Sequence, residues 1–179
     1  MAEPLTYLAF CRKLGLTLEA GQEAFARCAF DGEPAGALPL NLQAYARTLF
    51  GSALLPPPAS ALRRLAVVAG ARSGKTYLFS LRLLHLALTV DVSRCAPGEQ
   101  PAALIVAPSK RLGRQALRYI KGAVESKPGL RATIVDSNAD TLTLRRDGGR
   151  TVRIEVAAAK AGGEAGRGFS LVGALMDEA

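Results

Sequence analysis

The sequence predicts an α/β fold, a mostly parallel sheet flanked by helices and preceded by a small helical region. Three observations predict it. After residue 58, short apolar runs that read as buried strands alternate with helical stretches, the pattern of a parallel sheet covered on both faces. The first of those runs leads directly into a glycine-rich turn and then an apolar helix. Before residue 58 the apolar residues recur instead at helical spacing, in three stretches separated by Gly- and Pro-containing turns.

The helical region comes first. Residues 4–14 place Leu5, Leu8, Ala9 and Arg12 at helical intervals, with Pro4 suited to a first turn and Gly15 to a stop. Residues 18–30 repeat the pattern through Ala20, Ala24, Phe25 and Cys28. A Gly- and Pro-rich loop over 31–39 leads to a third stretch, 42–50, closed by Gly51. Pro56, Pro57 and Pro58 form a stiff connector that no helix crosses, so residues 1–58 are one region and 59–179 another.

In the second region, residues 65–69 predict a strand and 77–90 an apolar helix. Residues 103–107 predict a second strand, ended by Pro108, with Ser109 capping a helix that runs to about Glu125. A third strand is expected over 132–135. Residues 142–146 and 152–156 flank Asp147-Gly148-Gly149-Arg150 and read as a hairpin. The last strand is 171–176.

Composition narrows the class of partner without naming one. The chain has 179 residues, 49% hydrophobic and 21% charged, which suits one globular domain of ordinary size and excludes a disordered chain. Lys and Arg exceed Asp and Glu by 23 to 15, a net charge of +8, which suits a polyanionic partner as well as an inert basic surface. Cys11, Cys28 and Cys95 form no CxxC pair and stand with a single histidine, His85, so neither a disulfide framework nor a zinc site is expected. No apolar run reaches the ~20 residues of a membrane span, and no signal sequence is evident. A soluble cytoplasmic protein with no membrane partner is the expectation.

The turn after residue 69 carries the first chemistry. Ala69-Gly70-Ala71-Arg72-Ser73-Gly74-Lys75-Thr76 matches G-x-x-x-x-G-K-[ST] except at its first position, where alanine stands and Gly70 follows. Such a loop turns its backbone N–H groups toward phosphate oxygens at a helix N-terminus. Lys75 reaches the β- and γ-phosphates of ATP, and the Thr76 hydroxyl ligates Mg²⁺. Alone, Gly-Lys-Thr is a common tripeptide; between an apolar strand and an apolar helix it reads as a nucleotide loop, and the fold as P-loop NTPase-type. The second element of chemistry closes the chain. Residues 171–176 are an apolar strand ending on Asp177-Glu178, at the sheet edge where open α/β folds bind ligands. An aspartate there supports the Mg²⁺ shell, and a neighbouring glutamate orients or deprotonates the attacking water.

Together these residues resemble the large terminase subunits that package DNA into phage heads, over most of the chain. The resemblance rests on the Arg-containing loop 70–76, on Ile105-Val106-Ala107-Pro108 before a basic helix, and on Glu164-Ala165-Gly166-Arg167-Gly168-Phe169-Ser170 before the strand ending in Asp177-Glu178-Ala179. Leu16-Thr17 with Gln22 is similar to that family's adenine-contacting glutamine motif, at looser spacing. The resemblance implies that Gly70, Ala71, Arg72, Ser73, Gly74, Lys75 and Thr76 bind nucleotide, that Thr76 and Asp177 hold Mg²⁺, and that Glu178 is the catalytic carboxylate. It further implies that Arg72 senses the γ-phosphate, that Arg167 is a finger offered to the neighbouring subunit's ATP, and that Gln22 touches the base. The implied partners are double-stranded DNA, neighbouring large-terminase subunits in a ring, the portal and the small terminase subunit, in an infected bacterial cell.

The chain departs from the family's pattern by stopping one residue after Glu178, so an ATPase core truncated after its Walker B strand, with no nuclease site, is expected. Two alternatives stand: a helicase-like ATPase fragment, and a nucleotide-binding or assembly module without catalysis. Lys110, Arg111, Arg114, Arg118 and Lys121 lie mostly on one face of the helix after Pro108, and read more readily as a solvated face than as phosphate contacts. Arg145, Arg146, Arg150 and Arg153 crowd the hairpin, where a DNA-facing or subunit-facing loop is possible. Tyr119 and Phe169 are too isolated for a base-stacking platform. His85 lies among leucines and reads as packed.

Overall fold

A computed structural model describes residues 5–51, 65–68, 73–96, 98–159 and 170–177. The chain divides into two compact units, Met1–Ser73 and Gly74–Ala179.

The first unit is helical. Helix α1 (Tyr7–Lys13) starts at Thr6, whose hydroxyl accepts the Ala9 N–H at 3.2 Å, and ends in paired bonds from Gly15 N to Arg12 O and Leu16 N to Cys11 O. Two further N–H groups of its first turn, those of Tyr7 and Leu8, go to the carboxylate of Asp31 at 2.6 and 3.1 Å. One residue of a distant turn therefore caps α1 and ties it to the end of α2 (Ala20–Ala29). Helix α2 opens with a reciprocal Glu19/Gln22 capping box. A short 3₁₀ turn (Ala35–Ala37) precedes α3 (Leu40–Phe50). Ala24 and Cys28 of α2 pack with Ala35, Leu38, Leu42 and Ala46 in one apolar cluster. Phe25 stacks on Phe50 and meets Phe30 edge-on. Cys11 and Cys28 are both buried, and burial pushes both thiols up.

The second unit is an α/β layer. Its elements are α4 (Lys75–Thr89), β1 (Pro101–Ala107), α5 (Lys110–Glu125), α6 (Pro128–Arg131), β2 (Ile134–Ser137), β3 (Thr141–Arg145), β4 (Thr151–Ala158) and β5 (Ser170–Met176). The five strands form one sheet in the order β2-β3-β4-β1-β5. Strand β1 pairs in parallel with β4 and with β5, whereas β2–β3 and β3–β4 are antiparallel. The sheet is thus mixed, and the expectation of a mostly parallel sheet is corrected. The reason is connection length: tight turns at 138–140 and 146–150 can only return the chain antiparallel, and a parallel neighbour needs a long crossover. A second correction concerns residues 65–68, which form no strand and lie outside the sheet; Leu65 and Val68 are exposed.

Strand β1 is interior, between β4 and β5, and all seven of its residues are buried, which explains its unbroken apolar run. Helices α4 and α5 pack side by side on one face of the sheet. Helix α5 comes close because residue 113 is glycine: a Cβ there would sit 2.6 Å from Val156 Cγ1. Opposite α4, Gly173 of β5 leaves room for Leu83 and Leu86. Arg150, one of the crowded hairpin arginines, donates from Nη1 to the carbonyls of Val92 and Cys95 at 2.9 and 3.1 Å, pinning the loop between α4 and β1. His85 is buried on α4, with its Nδ1 2.7 Å from Arg82 Nη1. Among the described residues no helix is long and apolar enough to cross a membrane.

Candidate functional site

Because β4, β1 and β5 are parallel, their carboxyl ends share one edge of the sheet. Asp177 follows β5 at that edge, and its backbone N–H donates to Val106 O at 2.9 Å, extending the β1–β5 ladder by one residue. The backbone from which the carboxylate projects is therefore tied to the sheet.

Helix α4 begins at the same edge. Gly74 precedes it with φ 77° and ψ 9°, a left-handed conformation that glycine adopts without the steric cost a side chain would bring. The N-cap residue, Gly74, has no side chain to cap this helix start, where the positive end of the helix dipole lies. Lys75 is the first helical residue and half-buried. Thr76, next along, donates its hydroxyl proton to the Asp177 carboxylate, with Oγ1 3.0 Å from Oδ2 and 3.2 Å from Oδ1. Ser80 Oγ donates to Thr76 O at 2.6 Å, one turn along the helix. Two residues 101 positions apart thus bring a hydroxyl and a carboxylate together beside the N-terminus of α4.

The oxygens of Thr76 and Asp177 are hard donors of the kind Mg²⁺ takes, and Mg²⁺ commonly uses one or two protein oxygens together with phosphate oxygens and water. Among the described residues no group of three or more His, Cys, Asp or Glu is arranged to hold a metal alone. The donor set fits a cation brought in with a phosphate ligand, not a self-sufficient protein site.

The structure brings together Gly74, Lys75, Thr76 and Asp177 of the residues expected from sequence. Gly70, Ala71, Arg72, Arg167 and Glu178 lie outside the described residues. Gln22 and Ser73 belong to the first unit, where Gln22 Nε2 donates to Ser73 O at 3.4 Å while its Oε1 accepts the Glu19 N–H at 3.2 Å. Its amide therefore anchors both the start of α2 and the chain just before Gly74.

One residue escaped the sequence reading. Asp140, in the turn between β2 and β3, accepts from Arg114 Nε at 2.7 Å and from Lys110 Nζ at 3.1 Å. Arg114 first, and Lys110 second, hold its carboxyl down at about 2. The one signal in the sequence is Asn138-Ala139-Asp140, a turn-forming tripeptide; Asn138 Oδ1 accepts the N–H groups of Asp140 and Thr141, both at 3.0 Å.

Fold and site together define a mixed α/β sheet protein with a hydroxyl–carboxylate pair at the carboxyl edge of its parallel strands. No family model, no curated protein and no solved structure matches the chain.

Proposed function

We propose that this chain is the ATP-binding and hydrolysing part of a DNA-packaging motor of the large-terminase kind, with a P-loop NTPase-type core. The observation that carries the reading is the Thr76–Asp177 hydrogen bond beside the Gly74 turn. It joins the end of the Gly-Lys-Thr motif to the acidic residue that closes the last apolar strand, the two places where that chemistry needs them.

In this reading the N–H groups after Gly74 and the Lys75 ammonium bind the β- and γ-phosphates of ATP. Thr76 and Asp177 hold Mg²⁺, which when bound neutralises charge on the phosphate oxygens. Glu178 orients and deprotonates the attacking water. Arg72 stabilises the γ-phosphate and Arg167 reaches the ATP of a neighbouring subunit, both lowering the cost of charge on the transferring group. Gln22 contacts the base. The partners are double-stranded DNA, further copies in a ring, the portal and the small subunit, in the cytoplasm of an infected bacterium.

Titration with a fluorescent ATP analogue tests the centre of the proposal. A charge-assisted bond is worth about 1.5–3 kcal/mol, so Lys75→Ala should weaken binding roughly 10- to 100-fold. Glu178→Gln should keep binding and abolish hydrolysis. Unchanged affinity in Lys75→Ala would refute the nucleotide site; binding without any wild-type hydrolysis would leave a nucleotide-binding module in place of an ATPase.

A further inference from the structure

A second concentration of charge follows β1, on the helix that starts three residues after it. Residues 110–131 carry seven Lys or Arg against one Glu. Within α5 the residues Gly113, Ala116, Leu117, Ile120 and Val124 are buried, while Lys110, Arg111, Arg114 and Arg118 are exposed. The cations therefore stand on the face turned away from the sheet.

That face is not flat. Arg114, Leu117, Arg118 and Lys121 line a cleft of about 230 Å³ with Ala139 of the β2–β3 turn. Its lining is almost wholly apolar, from Leu117, Ala139 and the aliphatic stems of the three basic side chains, so the charged ends of Arg114, Arg118 and Lys121 rim the cleft. The turn also holds those cations in place. Asp140 takes Lys110 and Arg114, and Lys121 Nζ donates to Asn138 O. Arg118 has no hydrogen-bonding partner among the described residues. Two cations share the one carboxylate of Asp140, so the cleft keeps an excess of positive charge. From Lys110 to Lys121 the row runs about 16 Å along the helix.

We propose that this cleft docks the sugar-phosphate backbone of duplex DNA, sequence-independently, through Arg114, Arg118 and Lys121. The proposal rests on the reading of DNA as the partner and not on the reading of ATP. Charge complementarity selects the occupant. A duplex offers about one phosphate charge per 1.7 Å of its axis, dense enough to serve cations spaced one helical turn, about 5.4 Å, apart. A lipid surface is the poorer fit, because a helix that binds there needs a free apolar face, and that of α5 is buried. Single strands are the poorer fit too, since the nearby ring of Tyr119 already meets Tyr77 edge-on at 5.3 Å and no stacking platform stands beside the cleft among the described residues. Asp140 is the cleft's own competitor: a phosphate that takes Arg114 must displace its carboxylate.

Fluorescence anisotropy of a labelled 30-base-pair duplex, titrated with the 179-residue chain between 50 and 200 mM salt, tests this. Arg118→Ala and Lys121→Ala should each reduce the slope of log affinity against log salt by about 0.9. Asp140→Asn should tighten binding, whereas a merely structural ion pair would make its loss neutral or harmful. Circular dichroism establishes that each variant is folded, and Arg118→Ala breaks no described bond. Duplex binding with wild-type affinity and slope in Arg118→Ala and Arg114→Ala/Arg118→Ala overturns the cleft while leaving DNA as the partner. Failure of the wild type to bind duplex at 50 mM salt overturns both. Arg118-dependent binding to anionic vesicles or polyglutamate in place of DNA overturns the duplex as occupant.

Discussion

The two halves of the sheet are built by opposite means. In β4, β1 and β5 the partners come from far apart in sequence: Ala102 faces Arg153 on one side and Leu171 on the other. In β2, β3 and β4 each strand pairs with its chain neighbour through a tight turn. The parallel half must offset a larger loop-closure entropy, and its interior strand helps to do so by burial: every residue of β1 is inside, whereas the strands at the two ends of the sheet are open, with only Leu175 buried in β5 and Val135, Asp136 and Ser137 of β2 exposed. The contrast extends to chemistry. The parallel half places Asp177 at its carboxyl edge, and the antiparallel end presents a turn that gathers cations from α5.

The comparison breaks most visibly under core truncation. Ile105→Ala in β1 should cost about 2–5 kcal/mol in urea unfolding, while Val135→Ala in β2 should stay within about 0.5 kcal/mol. Equal losses would mean the two halves are not differently anchored. A smaller effect tests the helix cover. Gly113→Val places atoms where Val156 already stands and should cost about 1–3 kcal/mol. Gly122→Ala, in the same helix with nothing within 4 Å, should instead stabilise by about 0.5–1 kcal/mol. Smaller still is the pH response of the turn. The Asp140 carboxyl, at about 2, lies below its ordinary 3.8. Its pairing therefore contributes above pH ~4 and is lost as pH falls toward 2. A carbon-detected NMR titration of Asp140 should show that low midpoint, and Arg114→Ala should move it back up.

Local chemistry was legible in the sequence and distant pairing was not. Gly74 before Lys75-Thr76 marked a glycine-rich turn into a helix, and the turn takes the left-handed backbone that glycine adopts readily. Asp147-Gly148-Gly149 between two apolar runs predicted the hairpin for the same kind of reason. An apolar run also marked β5 and the acidic residue after it. What spacing could not carry was strand partnership, so the antiparallel pairing of β2 and β3 was read as part of a mostly parallel sheet. An apolar run does not specify a ladder either, and residues 65–68 make none. Asp140 with Arg114, and Asp31 with the start of α1, pair across 26 and 24 residues. Nothing in a charged helix face or a loop aspartate announces which partner tertiary structure will deliver.

Asp177 has two attachments of different kinds. Its amide is bonded to Val106 O in the sheet, and its carboxylate to the Thr76 hydroxyl. Hydrogen exchange at that amide measures opening of the β1–β5 edge, because exchange requires the backbone bond to break. A ligand that takes over the carboxylate leaves the amide's partner in place. One residue thus reports separately on the integrity of the fold, through its exchange rate, and on occupancy of the site, through the chemical shift of its carboxyl carbon.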